Sequence, residues 1–300
     1  MSGQELDLGR FGRITSVVVS KDGEIVHEQY AEGDPQALRN TRSCTKTVLS
    51  IVVGAAIKRG LIEGVDATLA DLAGAPSSSL YPDARKASIT VRDLLTMNSC
   101  LECDDSNPYS AGNEERMYPR EDWVQFALDL PIRCGRGFSY CTAGVVTLGV
   151  AVARALCEPL SQFAEREIFA PVGIEAFDWP KTPLGDDSAA GGLLLSSRDL
   201  LALVHVYLEG GRGVVEPAWV AESTTAHVQV DDRTGYGYLW WLREYEAGRS
   251  YYMSGAGGSH IHAFPDDRLA VAITSANFGV PDAHDLTERL LVEQVLPRYA

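Results

Sequence analysis

Segments with the alternation typical of β-strands stand at both ends of this chain. Near the start, ITSVVVSKDGEIVHEQY (residues 14–30) alternates apolar and polar residues around Asp22-Gly23, which predicts a β-hairpin with its turn at that pair. Strand character returns late in the chain, in GYGYLWWLREY, RSYYMSG, SHIHAFP and DRLAVAITSA, and the turn residues Pro265-Asp266-Asp267 separate the last two. The simplest fold consistent with this order pairs the two ends in one antiparallel sheet.

Between these ends, apolar residues follow the period of a helix. Helices are predicted at about residues 43–59 and, near the end, at about residues 283–296. The same periodicity is present in VRDLLTM, EDWVQFALDL, AGVVTLGVAVARAL, LSQFAEREIFA and SSRDLLALVHVYLEGG. The predicted fold class is α+β, an antiparallel sheet of N- and C-terminal strands flanked by helices, with an inserted helical subdomain. We expect residues 1–60 and 225–300 to form the sheet subdomain and residues 61–224 the mostly helical one.

The net charge of the chain limits its partners. Among its 300 residues, 41 Asp and Glu outnumber 26 Lys and Arg, for a net charge of −15. Such a field repels phosphate backbones and anionic lipids, so neither nucleic acid nor a membrane is an expected partner. The opening residues MSGQELDLGRFGR lack the apolar segment of a secretory signal, and no apolar run reaches the length of a membrane span. We therefore expect a cytoplasmic protein.

Six cysteines and a pair of nearby histidines are candidate metal ligands in this sequence. Without a secretory signal, the six cysteines are expected to stay reduced rather than form a disulfide framework. Cys100, Cys103 and Cys134 suggest a zinc site, but no second ligand pair follows at a suitable spacing. His260 and His262 are two residues apart on one predicted strand, with no carboxylate or cysteine at a helpful spacing. We interpret them as sheet-face side chains and expect no metal and no cofactor.

The segment TRSCTKTVLSIVVGAAIKRG places a lysine, Lys46, at an apolar helix start, three residues after Ser43. On a helix these residues lie one turn apart on the same face, so Oγ and Nζ can meet. Serine needs an adjacent base to become a strong nucleophile, and lysine can be that base where apolar surroundings disfavour its charged form. The same spacing also fits an ordinary cation at a helix edge, and spacing alone leaves both interpretations open.

Five segments occur in an order that is typical of one superfamily. They are TRSCTKTVLSIVVGAAIKRGLIEGVDATLADL, ITVRDLLTMNSCLECDD, GRGFSYCTAG, AAGGLLLSSRDLLALVHVYLEGG and YYMSGAGGSHIHAFPDDRLAVAIT. Together they resemble the serine β-lactamase and penicillin-binding-protein superfamily, above all its class C-like branch of esterases, 6-aminohexanoate-oligomer hydrolases and related amidases. The first is similar to that family's nucleophile helix and the last to its final strand pair. The resemblance covers most of residues 17–280.

The resemblance implies a role for each catalytic residue. Ser43 would be the nucleophile, and Lys46 would accept its proton. Tyr140, in FSYCTAG, falls on the family tyrosine and would relay protons to the leaving group and from the attacking water. Packing of this ring against the following helix is the alternative interpretation of Tyr140. The backbone N–H groups of Ser43 and Ala256 would form the oxyanion hole.

Two positions depart from the family pattern. Alignment of the final strand pair places Met253-Ser254-Gly255 on the family's Lys-Thr-Gly motif, so Met253 replaces the usual cation. Thr142 replaces the asparagine of the Tyr-x-Asn motif. Both changes favour a neutral ester or amide as substrate over a β-lactam or a cell-wall peptide. All four residues are predicted substrate contacts.

A loop and one histidine supply further candidate contacts. In relatives, the loop that holds Asp104, Asp105, Tyr109 and Tyr118 overhangs the cleft, and these residues are candidates for substrate selection. Tyr109 and His260 complete the predicted substrate-binding set.

The combined prediction is a serine hydrolase of β-lactamase-like fold. It would cleave an ester or amide bond through a covalent acyl-enzyme, at an active site between the two subdomains. Other activities stay open at this point: β-lactamase or D,D-peptidase-like hydrolysis, acyl transfer, and a non-catalytic binding role on the same scaffold.

Overall fold

An eight-stranded antiparallel sheet is the centre of the fold. The computed structural model describes residues 5–74, 80, 82–133, 135 and 137–300, so Cys134 of the zinc alternative lies outside the described residues. The strands of the chain are β1 (Ile14–Lys21), β2 (Glu24–Tyr30), β3 (Arg39–Asn40), β4 (Leu194–Leu195), β5 (Val228–Gln229), β6 (Thr234–Tyr236), β7 (Trp241–Tyr245), β8 (Gly248–Gly255), β9 (Ser259–Phe264) and β10 (Leu269–Ser275). The large sheet has the order β2-β1-β10-β9-β8-β7-β6-β5, and β3 pairs with β4 in a separate two-stranded ribbon.

The order of the strands confirms the predicted fold class. Strand β1 pairs antiparallel with β10 on one side and with β2 on the other, so the N-terminal hairpin joins the C-terminal strands in one sheet. Asp22 and Gly23 form the hairpin turn with φ angles of 52° and 84°. Both values are in the left-handed region that the Asp-Gly pair tolerates, which is why this turn was visible in the sequence.

Helices cover both faces of the sheet. They are α1 (Cys44–Lys58), α2 (Leu69–Ala73), α3 (Val91–Leu95), α4 (Glu114–Met117), α5 (Trp123–Leu128), α6 (Thr142–Leu156), α7 (Leu160–Ala164), α8 (Ala170–Val172), α9 (Ser197–Leu208), α10 (Pro217–Ser223), α11 (Ala283–Leu290) and α12 (Leu296–Tyr299). Short 3₁₀ turns occupy Leu8–Phe11 and Ala84–Ser88, and wider helical turns occupy Glu165–Phe169 and Leu291–Val295. The helices predicted from periodicity therefore all form, with bounds shifted by a few residues.

Helix α1 runs through the larger of two cores. Its apolar residues point in every direction, as expected for a helix with no solvent face, and Val48 to Ala56 are all buried. Gly54 permits the closest contact on this helix, because a Cβ there would lie 2.4 Å from Nε1 of Trp219. The same core includes Ile261 and Ala263 of β9, so one face of the sheet packs against α1.

The other face of the sheet forms a second core. Its strand residues include Val17, Val271 and Phe264, and they pack against Leu290 and Leu291 at the end of α11. Since alternate residues of β9 belong to the two cores, the sheet separates them. The active-site candidates must therefore be assigned to one face or the other. The division into subdomains of residues 1–60 with 225–300 and 61–224 stays a prediction.

A disulfide corrects the prediction that the cysteines stay reduced. Cys103 and Cys141 are bonded across a sequence separation of 38 residues. The cysteine spacing gave no sign of this pair, because the two residues meet only when the loop after α3 packs against the start of α6. Cys44, Cys100 and Cys157 carry free thiols.

In the described part of the chain, no individual helix has the length and apolar character needed to cross a bilayer. One pair of helical segments, 142–156 and 160–172, satisfies both criteria only when joined across a 70° bend. Residues 142–152 of the first segment are buried in the protein core, which is sufficient to explain their apolar character.

Candidate active site

The backbone turns sharply into α1 at Ser43. Arg42, the residue before it, has a φ of 50°, a left-handed conformation that is uncommon for a side chain of this size. Ser43 occupies the N-cap position, yet its side chain makes no capping hydrogen bond. Its Oγ is therefore available to a side chain of the first helical turn.

Lys46 reaches that hydroxyl from one turn along α1. Its Nζ lies 3.0 Å from Ser43 Oγ and donates a second hydrogen bond of 2.6 Å to the carbonyl oxygen of Ala190. The ring of Tyr140 provides a third contact, with its centroid 5.0 Å from Nζ. Lys46 is 1% exposed, so these groups replace water around its amine.

A segment around residue 192 holds the start of α1 in place. Thr41 donates its N–H and its hydroxyl to the carbonyl of Leu193, at 2.9 and 2.7 Å. The hydroxyl of Thr45 donates to Arg42 O at 2.7 Å and accepts the N–H of Leu193 at 3.1 Å. Together with the β3–β4 ribbon next to it, this network fixes the turn that carries Ser43.

Tyr140 and Thr142 lie at the start of α6, and the carboxylate of Asp105 organises the backbone around them. Asp105 Oδ2 accepts the N–H of Thr142 at 2.7 Å, and Oδ1 accepts the N–H of Glu114 at 2.8 Å. The N–H of Asp105 in turn donates to Tyr140 O at 2.9 Å. Burial raises the pKa of Asp105, and the hydrogen bonds from Thr142 oppose that shift. The disulfide bond of Cys141 anchors the same turn.

The C-terminal end of β8 approaches α1 at Gly255. A Cβ at this position would lie 2.4 Å from Thr41 O and 3.2 Å from Cys44 Sγ, so only glycine allows the strand to come this close. The next residue, Ala256, is exposed and lines the same cleft as Ser43. Among the described residues, the backbone N–H groups of Ser43 and Ala256 donate to no other backbone group, and their role as an oxyanion hole stays a prediction.

A cleft of about 420 Å³ opens beside Ser43. Three of the predicted site residues line it: Ser43, Thr142 and Ala256. Tyr118, a candidate for substrate selection, lines it as well. The other residues around the cleft are Arg42, Glu114, Glu115, Met117, Trp123, Val146, Pro180, Lys181, Ser188, Ala190, Gly191, Gly192 and Phe278.

The remaining predicted substrate contacts lie away from the cleft lining. Met253 is fully buried in the core that contains α1, and Tyr109 is 87% exposed on a loop. His260 is buried on the sheet, where its Nε2 lies 2.9 Å from Nδ1 of His284 in α11. Ser254 and Gly255 belong to β8, and neither lines the cleft. Substrate contacts by Met253, Tyr109 and His260 therefore stay predictions, at positions outside the cleft lining.

Several residues of the cleft were not predicted from the sequence. Glu114 and Trp123 lie on the consecutive helices α4 and α5, Phe278 follows β10, and none of the three belongs to a motif with a fixed spacing. The same holds for Ala190, whose carbonyl binds Lys46 through its backbone. Only the tertiary fold brings these residues together. Among the described residues, no group of three or more His, Cys, Asp or Glu could hold a metal ion.

Comparison with known proteins identifies relatives of this architecture. The family model described as Beta-lactamase matches residues 15–295. Comparison with curated protein sequences gives no match.

Solved structures share the fold at low sequence identity. A Bacillus anthracis protein provisionally described as a 6-aminohexanoate-dimer hydrolase superposes with a TM-score of 0.77 at 15% identity, covering 94% of this chain and 78% of that one. A penicillin-binding protein from Bacillus halodurans gives 0.75 at 16% identity, covering 95% and 98%. EstCE1, described as a hydrolase with promiscuous acyltransferase activity, gives 0.73 at 16% identity, covering 92% and 94%. At these identities the likeness shows the fold alone.

Proposed function

This chain belongs to the beta-lactamase family, and we propose that it is a serine hydrolase that cleaves an ester or amide bond through a covalent acyl-enzyme. The observation that carries the proposal is the 3.0 Å contact between Lys46 Nζ and Ser43 Oγ beside an open cleft. A buried lysine held against a serine hydroxyl supplies the adjacent base that a serine nucleophile needs. A buried amine needs hydrogen-bond acceptors whatever its role, so the probe experiment below separates catalysis from structural support.

In the proposed reaction, Ser43 Oγ attacks the carbonyl carbon and gives its proton to Lys46 Nζ. The carbonyl oxygen becomes an oxyanion, which the N–H groups of Ser43 and Ala256 stabilise. Collapse of this intermediate breaks the ester or amide bond, and the leaving group takes a proton through Lys46 and Tyr140. Water then attacks the acyl-enzyme and loses a proton to the same pair. The bond between the acyl carbon and Ser43 Oγ breaks, the pair returns the proton to Oγ, and the acid leaves.

A neutral ester or amide suits this cleft better than a β-lactam. The strand that supplies a cation in many relatives has Met253 instead, and that side chain is buried in the core. Acyl transfer is a second candidate, because an acyl-enzyme can be resolved by an alcohol or amine as well as by water. The description of EstCE1 as a hydrolase with acyltransferase activity favours testing it.

Labelling with a fluorophosphonate probe tests the nucleophile directly. Intact-protein mass is measured for the wild type, for Ser43→Ala and for Ser50→Ala, which removes a buried hydroxyl from the same helix. We expect one adduct on the wild type and on Ser50→Ala, and none on Ser43→Ala. No adduct on any protein would contradict the proposal, and labelling of Ser43→Ala would mean that another serine reacts. A panel of chromogenic esters against a chromogenic cephalosporin then separates esterase from β-lactamase activity.

A further inference from the structure

Three side chains in the cleft form a group that the proposed chemistry does not use. Glu114, Tyr118 and Trp123 all line the cleft that holds Ser43. The rings of Tyr118 and Trp123 meet edge to face, with centroids 5.6 Å apart and planes at 68°. Tyr118 Oη donates a hydrogen bond of 2.7 Å to Glu114 Oε2. A carboxylate and two aromatic rings thus face the same space.

The carboxylate of Glu114 is fixed without a cationic partner. The hydroxyl of Thr142 donates to Oε2 at 3.1 Å, in addition to the bond from Tyr118. Within the described residues, no arginine, lysine or histidine makes an ion pair with Glu114. Burial and the neighbouring Glu114 carboxylate raise the pKa of Tyr118, which keeps its hydroxyl protonated as a donor. The Glu114 side chain therefore lies at the cleft with hydroxyl donors and no ion-pair partner among the described residues.

The cations of the cleft are engaged elsewhere. Lys181 forms an ion pair with Asp187, whose side chain is fully buried. The guanidinium of Arg42 lies over the ring of Phe278, 4.6 Å from its centroid. Neither side chain makes an ion pair with Glu114, so neither of these two cations neutralises the carboxylate on that side of the cleft.

Building on the proposed hydrolase activity, we propose that Glu114, Tyr118 and Trp123 form a subsite for an ammonium group of the substrate. A carboxylate supplies the counter-charge, and the faces of tyrosine and tryptophan attract cations through their quadrupoles. The net charge of −15 adds a field that draws cationic molecules toward the protein. The substrate class is then an ester or amide that carries a protonated or quaternary amine on its acyl or leaving group.

Pairs of isosteric esters test this subsite, because a quaternary nitrogen and a quaternary carbon have nearly the same shape. On the alcohol side, the 2-trimethylammonioethyl ester of butyric acid is compared with its 3,3-dimethylbutyl ester. On the acyl side, methyl 4-trimethylammoniobutanoate is compared with methyl 5,5-dimethylhexanoate. Calorimetric binding to Ser43→Ala gives affinities without turnover, and acid release by the wild type gives kcat/KM.

We expect Ser43→Ala to bind the cationic member of at least one pair about tenfold more tightly than its neutral isostere. Adding Glu114→Gln should bring that ratio close to one. Glu121→Gln removes the same charge at an exposed position outside the cleft lining and should keep the ratio. Should Glu114→Gln fail to fold, Trp123→Leu tests the same subsite, and Trp123→Phe should restore part of the preference.

The two proposals can fail separately in this design. A binding preference without turnover of any ester, in a protein whose Ser43 also fails to react with the fluorophosphonate probe, would keep the subsite and contradict the hydrolase. Turnover without a preference for either cationic ester would overturn the subsite and keep the hydrolase. A preference that survives Glu114→Gln, or that Glu121→Gln removes equally, would also overturn the subsite, because the charge of the whole protein would then explain it.

Discussion

Lys46 is the residue on which the candidate site depends. Its amine is buried and has three neighbours from three separate parts of the chain, namely Ser43 Oγ, Ala190 O and the ring of Tyr140. A lysine on a flexible surface would sample many rotamers, but these contacts hold Nζ at one position. Proton transfer from the serine hydroxyl depends on this fixed distance between Oγ and Nζ, whichever substrate is bound.

Replacing Lys46 by methionine should remove the base while keeping the apolar stem of the side chain. We expect the rate of acylation by an activated ester to fall about a thousandfold, in line with the loss of a general base. The rate of fluorophosphonate labelling, followed by mass spectrometry, measures this. Lys21→Met, in the N-terminal hairpin, changes the charge equally and should label at the wild-type rate. Equal labelling of both variants would contradict a catalytic role for Lys46.

Substitution of Gly255 tests whether the close approach of β8 to α1 is needed for stability and for the reactivity of Ser43. In Gly255→Ala the new methyl group would meet Thr41 O at 2.4 Å, so the strand end must move away from the turn that carries Ser43. We expect the free energy of unfolding to fall by about 1 to 3 kcal/mol, as for other overpacked sites, and labelling of Ser43 to slow. Gly64→Ala adds a methyl group with nothing within 4 Å and should change neither. Denaturant titration and labelling rates check both.

At the scale of elements, the disulfide connects the loop after α3 to the start of α6. Cys141 is the N-cap of α6, and it directly follows Tyr140. The bond therefore restrains the unfolded chain. In the folded protein it also holds the segment that carries Tyr140, the predicted proton relay. No other covalent bond in the described residues joins two segments of the chain.

Removing the disulfide should lower stability mainly through the entropy of the unfolded chain. For a separation of 38 residues, loop closure corresponds to about 4 kcal/mol. We expect Cys103→Ser with Cys141→Ser to lower the melting temperature, and reductant to do the same to the wild type. Reductant should have no further effect on the double variant. A wild type insensitive to reductant during unfolding would contradict a contribution of this bond to stability.

Strand β9 carries two histidines into the region beneath α11. Burial lowers the pKa of His262 to about 3, with the nearby Arg243 guanidinium adding to the shift, and burial likewise places the pKa of His260 well below its usual value. Both are neutral in the folded protein near pH 5, whereas in the unfolded chain they bind protons below about pH 6.5. Because the unfolded state binds more protons there, stability should fall as the pH drops below about 6.5.

Replacing His262 by phenylalanine tests this linkage. The ring would still pack between Tyr252 and Phe264 but could not bind a proton. Each such histidine contributes up to about 1.4 kcal/mol per pH unit, so between pH 6.5 and 5 the slope of stability against pH should decrease by roughly that amount. Urea unfolding at several pH values measures the slope. An unchanged slope in His262→Phe would contradict the linkage, even if the variant were less stable overall.

For the whole molecule, the sequence predicted the fold class well because its signals are local. The Asp22-Gly23 turn, the alternation in β1 and the helical period of α9 each depend on a few consecutive residues. The pairing of β1 with β10 followed once strands were expected at both ends. The Cys103–Cys141 bond could not be predicted in the same way, because no local rule connects its two residues.

The residues of the candidate site also differ in whether a local sequence pattern predicts them. Ser43 and Lys46 are one helical turn apart, so their contact could be predicted from spacing. Glu114 and Trp123 line the cleft from the consecutive helices α4 and α5, but neither belongs to a sequence motif that predicts a place in the site. Met253 is a related case: alignment places the residue on a strand, but the strand's alternation and the neighbouring core decide which way its side chain points.

The hydrogen bond from Lys46 to Ala190 has a practical consequence for dissecting the protein. Its two residues are 144 positions apart, so any cut between them separates the serine and lysine from the carbonyl that steadies the amine. Two such halves, expressed separately, would each fail to react with an active-site probe. Covalent labelling of Ser43 would return only when the two fragments reassociate. The labelled mass would then report that association, so the chain could serve as a split-protein reporter.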